Sequence, residues 1–169
     1  MDNIEDILGD YTKFLDNIFG NLDRFQINVS NYYMDHICYR VSTFSLYEEK
    51  KISLSEIAEL LLENEVGGRL ISKFKLFHPL IYRDREISII ELPSPKEGTS
   101  YEDGLEHVEF VINMSLVDFR SLYSNIDFNL EGQSKNFNAD VAVTFGKYTA
   151  KFHEQSLEEV VRIEKQKLL

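Results

Sequence analysis

Two histidines occupy the same position in two similar eight-residue segments. His36 lies in MDHICYRV (residues 34–41) and His107 in LEHVEFVI (residues 105–112). The segments share an acid, a histidine, a β-branched residue, an aromatic residue and a terminal β-branched residue in the same register. Neutral imidazole is an ordinary ligand of divalent transition metals. The pair therefore favours a metal site, and a hydrogen-bonded histidine in an ordinary sheet is the alternative.

In both segments, apolar residues alternate with the residues that share the face of the histidine, as in a strand with one face covered by a helix. The alternation places Cys38 and Arg40 on the face of His36, and Glu109 on the face of His107. Two further segments carry polar residues in the same way: EISIIEL with Glu91, and YTAKFH with Thr149, Lys151 and His153 on one face. Buried polar groups cost several kcal/mol unless something satisfies them. If the sheet curls, these faces line a cavity suited to a metal ion.

Helices surround these strands in a repeated order. Apolar residues at helical spacing predict a helix over residues 4–19, and capping pairs predict helices over 53–65, over 116–124 and from residue 156. Strands are predicted over residues 34–41, 69–76, 79–84, 86–92, 105–112, around 128, 139–145 and 148–153. The order is helix, βαβββ, βαβββ, helix. It predicts an α/β (α+β) domain built from two βαβββ modules.

Composition restricts the partners and the compartment. The 169 residues are 43% hydrophobic and 28% charged, the balance of a single soluble globular domain. A formal net charge of −11 repels phosphate backbones and argues against nucleic acid. No apolar run approaches the roughly 20 residues that span a bilayer, so no membrane partner is expected. The single cysteine, Cys38, excludes an internal disulfide and, with an acidic N-terminus, indicates the cytoplasm.

Five motifs in this order and spacing resemble the YecM family: DHICYR, GRLISKFKL, ISIIELPSP, LEHVEFV and KFHEQSLEEVV. That family is a branch of the vicinal oxygen chelate superfamily, the glyoxalase and extradiol dioxygenase fold. The resemblance implies a curved mixed sheet. It also implies an N-terminal helical extension over residues 1–33 and a vicinal oxygen chelate-like domain over 34–169. The modules would cover about 34–92 and 105–155, with a C-terminal helix near 156–166.

The resemblance also implies a set of metal ligands, because vicinal oxygen chelate folds bind metal on the first and fourth strands of each module. His36 and Glu91 would come from the first module and His107 from the second. The fourth strand of the second module usually supplies Glu, whereas this chain offers Thr149, Lys151 and His153. His153 is the predicted fourth ligand. Three nitrogens and one oxygen suit a divalent zinc, manganese, iron or nickel ion better than calcium.

Three classes of function fit these residues. The first is a metal-dependent isomerase, lyase or oxygenase acting on a small molecule, with Glu109 carrying the proton and Arg40 and Lys151 binding the substrate. The second is a small-molecule or metal binding protein without turnover, which would gain if Glu109 and Lys151 point into solvent. The third is a structural domain without metal. A homodimer stays open, because this superfamily assembles modules within or between chains.

Overall fold

The protein is described by a computed structural model covering residues 4–135 and 137–167. The helices are α1 (Ile4–Leu8), α2 (Tyr11–Arg24), α3 (Phe44–Ser55), α4 (Leu116–Leu122) and α5 (Leu157–Lys167), with a 3₁₀ turn at Glu131–Ser134. The strands are β1 (Tyr33–Arg40), β2 (Ala58–Val66), β3 (Arg69–Tyr82), β4 (Arg85–Pro93), β5 (Gly104–Val111), β6 (Asp140–Phe145) and β7 (Tyr148–His153). This mixture of parallel and antiparallel strands with helices confirms the predicted α+β class.

The chain forms two compact units. The first contains the residues up to Lys13 together with His36–Glu106, and the second contains Phe14–Asp35 together with the chain from His107 onward. The division follows the predicted repeat, because each unit holds the core of one module. Within the described residues, no helix is long and apolar enough to cross a bilayer.

The first unit is a complete βαβββ module. Its strands lie in the order β2-β3-β4-β1, with β1 parallel to β4 and the other pairs antiparallel. Helix α3 begins after Thr43, whose side chain accepts a hydrogen bond from the Leu46 amide at 3.2 Å. The helix lies against β2, β3 and β4. It covers the face that carries the buried Ile37 and Ile90.

The predicted helix over residues 53–65 is wrong. Helix α3 ends at Ser55, and Ala58–Val66 forms β2, which pairs with β3 from Ala58↔Leu76 to Val66↔Arg69. Ser53 and Glu56 stand at the end of a helix rather than at its start. Pairing with β3 satisfies the backbone of this segment, and that tertiary contact overrides a local capping pattern.

The second unit repeats the order with a shorter third element. Strand β5 is parallel to β7, and β6 is antiparallel to β7. The strand predicted around Phe128 is reduced to a single bridge, Asn129↔Ala142. Helix α4 follows its Ser115 cap as predicted, and α5 follows Ser156, whose hydroxyl accepts from the Glu159 amide at 3.3 Å.

The N-terminal helix is divided in two. The predicted helix over residues 4–19 breaks at Gly9, which has a φ of +79° and ends α1. Glycine adopts this left-handed conformation without strain, so it commonly ends a helix. Helix α2 then continues with Phe14, Leu15 and Ile18 buried, as the apolar spacing predicts.

Candidate metal centre

In the first unit, His36 and Glu91 come from parallel neighbouring strands. The register pairs Cys38 with Glu91 and His36 with Ile89, so all four side chains share one face. His36 is buried and Glu91 is half-buried. A ligand nitrogen of His36 and a carboxylate oxygen of Glu91 lie within 4.8 Å of each other. The alternation read from the sequence therefore brings these two predicted ligands together.

A buried cation accompanies Glu91. Lys73 on β3 is the register partner of Glu91 and is only 3% exposed. Its Nζ donates a hydrogen bond to Asn64 Oδ1 at 2.8 Å. An ammonium buried on the ligand face stabilises nearby carboxylates in their charged form. Sequence reasoning missed Lys73. Alternation along RLISKFKL assigns Lys73 to a face of the strand, but only the register with β4 places it opposite Glu91.

Arg40 lies on the same strand as His36 and carries an ion pair. Its Nε donates to Glu106, and its guanidinium carbon lies 5.1 Å from the centroid of the Tyr101 ring. Burial lowers the pKa of Arg40, but the neighbouring Cys38 and Glu106 more than compensate, so the pKa is raised overall. The guanidinium is therefore permanently charged, and its side chain is only 12% exposed.

In the second unit, His107, Glu109 and Lys151 form a triangle of contacts. His107 Nε2 lies 3.2 Å from Glu109 Oε1, and Lys151 Nζ lies 3.2 Å from both of those atoms. The His107 side chain is fully buried and the Glu109 side chain is 9% exposed, while that of Lys151 is 21% exposed. Glu109 and Lys151 therefore do not point freely into solvent. Exposed positions for these two residues would have favoured a protein that binds without turnover.

His153 meets Glu109 from the other side. Its Nε2 lies 3.5 Å from Glu109 Oε2 and 3.5 Å from Asp35 Oδ2. Its Nδ1 lies 3.1 Å from Asn138 Oδ1. Because an amide oxygen only accepts, Nδ1 is the protonated nitrogen in this contact. Nε2 is then the ring nitrogen of His153 whose lone pair is available to a metal ion.

Asp35 is a member of this cluster that sequence reasoning missed. It is fully buried and accepts a hydrogen bond from the Leu157 amide at 2.8 Å. Leu157 is the first residue of α5, and the N-terminus of a helix favours a negative group. The acid shared by the two repeated segments was the signal, since Asp35 directly precedes His36 as Glu106 precedes His107.

The strand registers identify the counterpart of Glu91. In the first unit Glu91 pairs with Cys38, two residues after His36. In the second unit Lys151 pairs with Glu109, two residues after His107. Lys151 therefore stands at the position equivalent to Glu91, and His153 lies two residues further along β7. Where the first unit has the carboxylate of Glu91, the second has the ammonium of Lys151.

The three histidines and the carboxylate predicted to bind metal are thus distributed over both units. His36 and Glu91 approach each other in the first unit, and His107 and His153 are linked through Glu109 in the second. Arg40 contacts Glu106. The fourth histidine, His78, is exposed on β3.

Similar proteins decide the family. A model of the family described as YecM protein matches residues 3–136. Protein YecM of Escherichia coli (strain K12) is 31% identical over 179 residues, which cover 97% of this chain and 95% of the relative. The chain belongs to the YecM family. An uncharacterised protein of Haemophilus influenzae is 34% identical over 86 residues, covering 51% of this chain and 45% of its own length.

Solved structures agree with this YecM assignment. A structural-genomics protein, EC4020, superposes with a TM-score of 0.80 at 29% identity, covering 97% of each chain. A methylmalonyl-CoA epimerase of Streptomyces coelicolor, in complex with 2-nitronate-propionyl-CoA, gives a TM-score of 0.51 at 12% identity. That match covers 72% of this chain and 95% of the epimerase. The likeness at this identity concerns the fold alone, and it confirms the vicinal oxygen chelate architecture.

Proposed function

We propose that this member of the YecM family is a metal-dependent enzyme acting on a small molecule with two neighbouring oxygen atoms. The reaction class would be an isomerase, lyase or oxygenase of the vicinal oxygen chelate type. The observation that supports it best is the approach of His36 and Glu91 on neighbouring parallel strands. The repeat supplies His107 from the equivalent first strand of the second unit.

The donor atoms of the first unit fit a divalent transition ion. Ligand atoms lie about 2 Å from such an ion, so two of them are separated by up to about 4 Å. The ligand atoms of His36 and Glu91, within 4.8 Å of each other, need little or no movement to reach that separation. Nitrogen donors with one carboxylate suit zinc, manganese, iron or nickel. His153 stays a weaker prediction for the fourth ligand, because its Nε2 faces two carboxylates.

A bound ion would supply Lewis-acid stabilisation of negative charge on the substrate oxygens. Glu109 would carry the proton, since its carboxylate is nearly buried and is held by Lys151. Lys151 would keep Glu109 in its charged, accepting form, because a neighbouring ammonium favours a carboxylate. The 21% exposure of the Lys151 side chain also leaves its ammonium accessible to an anionic substrate.

A protein that binds without turnover is the second candidate. The observation that favours it is the Lys151 ammonium 3.2 Å from His107 Nε2. A cation so close to that nitrogen opposes the binding of a metal ion there by like-charge repulsion. A metal ion at His107 would therefore require the Lys151 side chain to move away.

Metal analysis of protein purified without an affinity tag tests the proposed site. We expect about one equivalent of a divalent transition metal per chain by mass spectrometry. His36→Ala and His107→Ala should each abolish stoichiometric metal, and His153→Ala should weaken it less. His78→Ala is the matched control, because His78 is exposed and lies on another strand. If His36→Ala and His107→Ala both keep a full equivalent, the proposed site is wrong.

Proton exchange with solvent separates the enzyme from the binding protein. The metal-loaded protein is incubated in D₂O with small 2-hydroxy and 2-oxo acids, and deuterium at carbon is followed by NMR. An isomerase or lyase should give incorporation that Glu109→Gln abolishes without changing the metal content, and an oxygenase should consume O₂. Incorporation at equal rates in both proteins would contradict the role of Glu109. Binding of an acid with neither incorporation nor O₂ consumption would favour the second candidate.

A further inference from the structure

One nitrogen of the buried Arg40 guanidinium has no acceptor. Arg40 NH1 is inaccessible to solvent and makes no hydrogen bond within residues 4–135 and 137–167. The Nε side of the same group is occupied by Glu106. A buried donor left unsatisfied is costly, and a charged one more so. A ligand oxygen that reaches this nitrogen would supply the missing hydrogen bond.

An aromatic residue forms a wall beside this guanidinium. The Tyr101 ring lies 5.1 Å from the guanidinium carbon of Arg40, and its hydroxyl accepts a hydrogen bond from Arg69 NH1 at 3.3 Å. The loop that carries Tyr101 is attached at its end, where Asp103 Oδ1 accepts from the Ser42 amide at 2.6 Å. Two guanidinium groups therefore flank one ring at the edge of the proposed metal site.

Charge favours an anion in this place. Arg40 lies on the face that also holds the buried Lys73 and the half-buried Glu91. A divalent ion on His36 and Glu91 would add two positive charges to that face. Guanidinium groups bind carboxylates through charge-assisted hydrogen bonds, which are roughly twice as strong as neutral ones. Glu106 and Glu91 offset the charges of Arg40 and Lys73, so an anionic substrate would compensate the two charges of the bound ion.

We infer that Arg40, with Tyr101 beside it, forms a subsite for a carboxylate, and that the substrate is a small acid. The acid carries this carboxylate in addition to the two oxygens that chelate the metal ion. The inference rests on the proposed function for the chelating end, whereas the carboxylate subsite is a property of the first unit alone. Arg69 is a positioning residue, since it acts by holding the Tyr101 hydroxyl.

Two matched probes test the subsite by calorimetry. L-Malate and L-lactate have the same 2-hydroxy acid end, and malate adds a second carboxylate. Both are titrated into the metal-free protein and into the manganese-loaded protein. We expect malate to bind at least about tenfold more tightly than lactate, as one charge-assisted hydrogen bond would produce. The preference should be present in both forms and larger in the loaded one.

Variants connect this preference to Arg40. Arg40→Gln should reduce it to near unity, and Arg40→Lys, which keeps a charge beside Glu106 for folding, should lose most of it. Arg162→Gln is the control, because Arg162 pairs with Glu159 on the exposed face of α5. Melting temperatures identify any variant that fails to fold.

The outcomes separate the subsite from the metal site. The inference is overturned if the wild type shows no preference in either form, or if a folded Arg40 variant keeps the wild-type preference. A chain that binds no manganese contradicts the proposed metal site. The metal-free titration then still decides the carboxylate subsite.

Discussion

The two modules share one order of strands but use it for different chemistry. In each, the first strand is parallel to the last, and the histidine of the first strand lies on the polar face. The register pair after that histidine is Cys38 with Glu91 in one module and Glu109 with Lys151 in the other. One module therefore has a thiol and a carboxylate at this pair, and the other has a carboxylate and an ammonium.

The apolar faces of the two modules, opposite the histidines, also differ in the side chains that fill them. The first module pairs Ile37 with Ile90 beneath α3, whereas the second pairs Phe110 with Phe152, whose rings stack at 5.7 Å. Phe119 of α4 packs 4.5 Å from the Phe152 ring. Helix α4 has only seven residues and the segment after Phe128 forms a single bridge, so large aromatic side chains, which bury about 150–250 Å² each, fill this module. Both modules thus cover the face opposite the histidine, but the second fills it with larger side chains than the first.

Removing the aromatic centre of the second module should have the largest effect. Phe152→Ala should lower the free energy of unfolding by about 3–5 kcal/mol, because a fully buried ring leaves a cavity. Urea denaturation measures the change. Phe77→Ala, at a residue that is 59% exposed, is the control and should change stability by less than about 0.5 kcal/mol. Equal effects would contradict an aromatic core in this module.

Removing a hydroxyl from the first module tests its buried polar cluster. Tyr47 donates to Glu63 Oε2 at 2.6 Å, and its hydroxyl also lies 2.6 Å from Ser72 Oγ. Burial and the Glu63 contact raise the pKa of Tyr47. Tyr47→Phe should therefore destabilise by about 1–2 kcal/mol in denaturant titrations. Tyr33→Phe, at a half-exposed tyrosine, should have almost no effect, and a matching loss there would refute the explanation.

The same cluster makes the stability of the first module depend on pH. The Tyr47 hydroxyl, with Ser72 and Lys51, outweighs burial and holds the pKa of Glu63 below its usual value of 4.5. A carboxyl whose pKa is lowered in the folded protein contributes its full stabilisation when the pH is above its usual, unfolded-state pKa. The contribution is lost as the pH falls through the lowered pKa of the folded state. Below about pH 4.5 the wild type should lose stability more steeply than Glu63→Gln. Parallel slopes would contradict this role, and Glu59→Gln serves as an exposed control.

The smallest expected effect is a difference in amide hydrogen-exchange rate between two residues at the outer edge of β6. The amide and the carbonyl of Ala142 both form hydrogen bonds with the backbone of Asn129, so they point away from β7. Alternation along an antiparallel strand then directs the Thr144 amide outward as well, beyond the single bridge. We expect the Thr144 amide to exchange much faster than that of Ala142. Equal protection would indicate a longer strand at this edge.

Sequence patterns predicted most of the repeated framework. The predicted strands over 34–41 and 105–112 are β1 and β5 within one residue at each end, and alternation assigned their faces correctly. The helices after Ser115 and Ser156 begin where their caps stand. These features depend on residues near one another in the chain. The segment over 58–66 was misassigned because its strand conformation depends on pairing with β3.

The sequence by itself determined the two modules, the family and the residues that face the polar side. Only the tertiary structure decided which of them meet, because register depends on backbone pairing between strands far apart in the chain. That pairing made Lys151 the equivalent of Glu91 and brought Lys73 opposite it. It also seated Asp35 at the start of α5, 122 residues away, where a buried carboxylate satisfies the first amide of the helix.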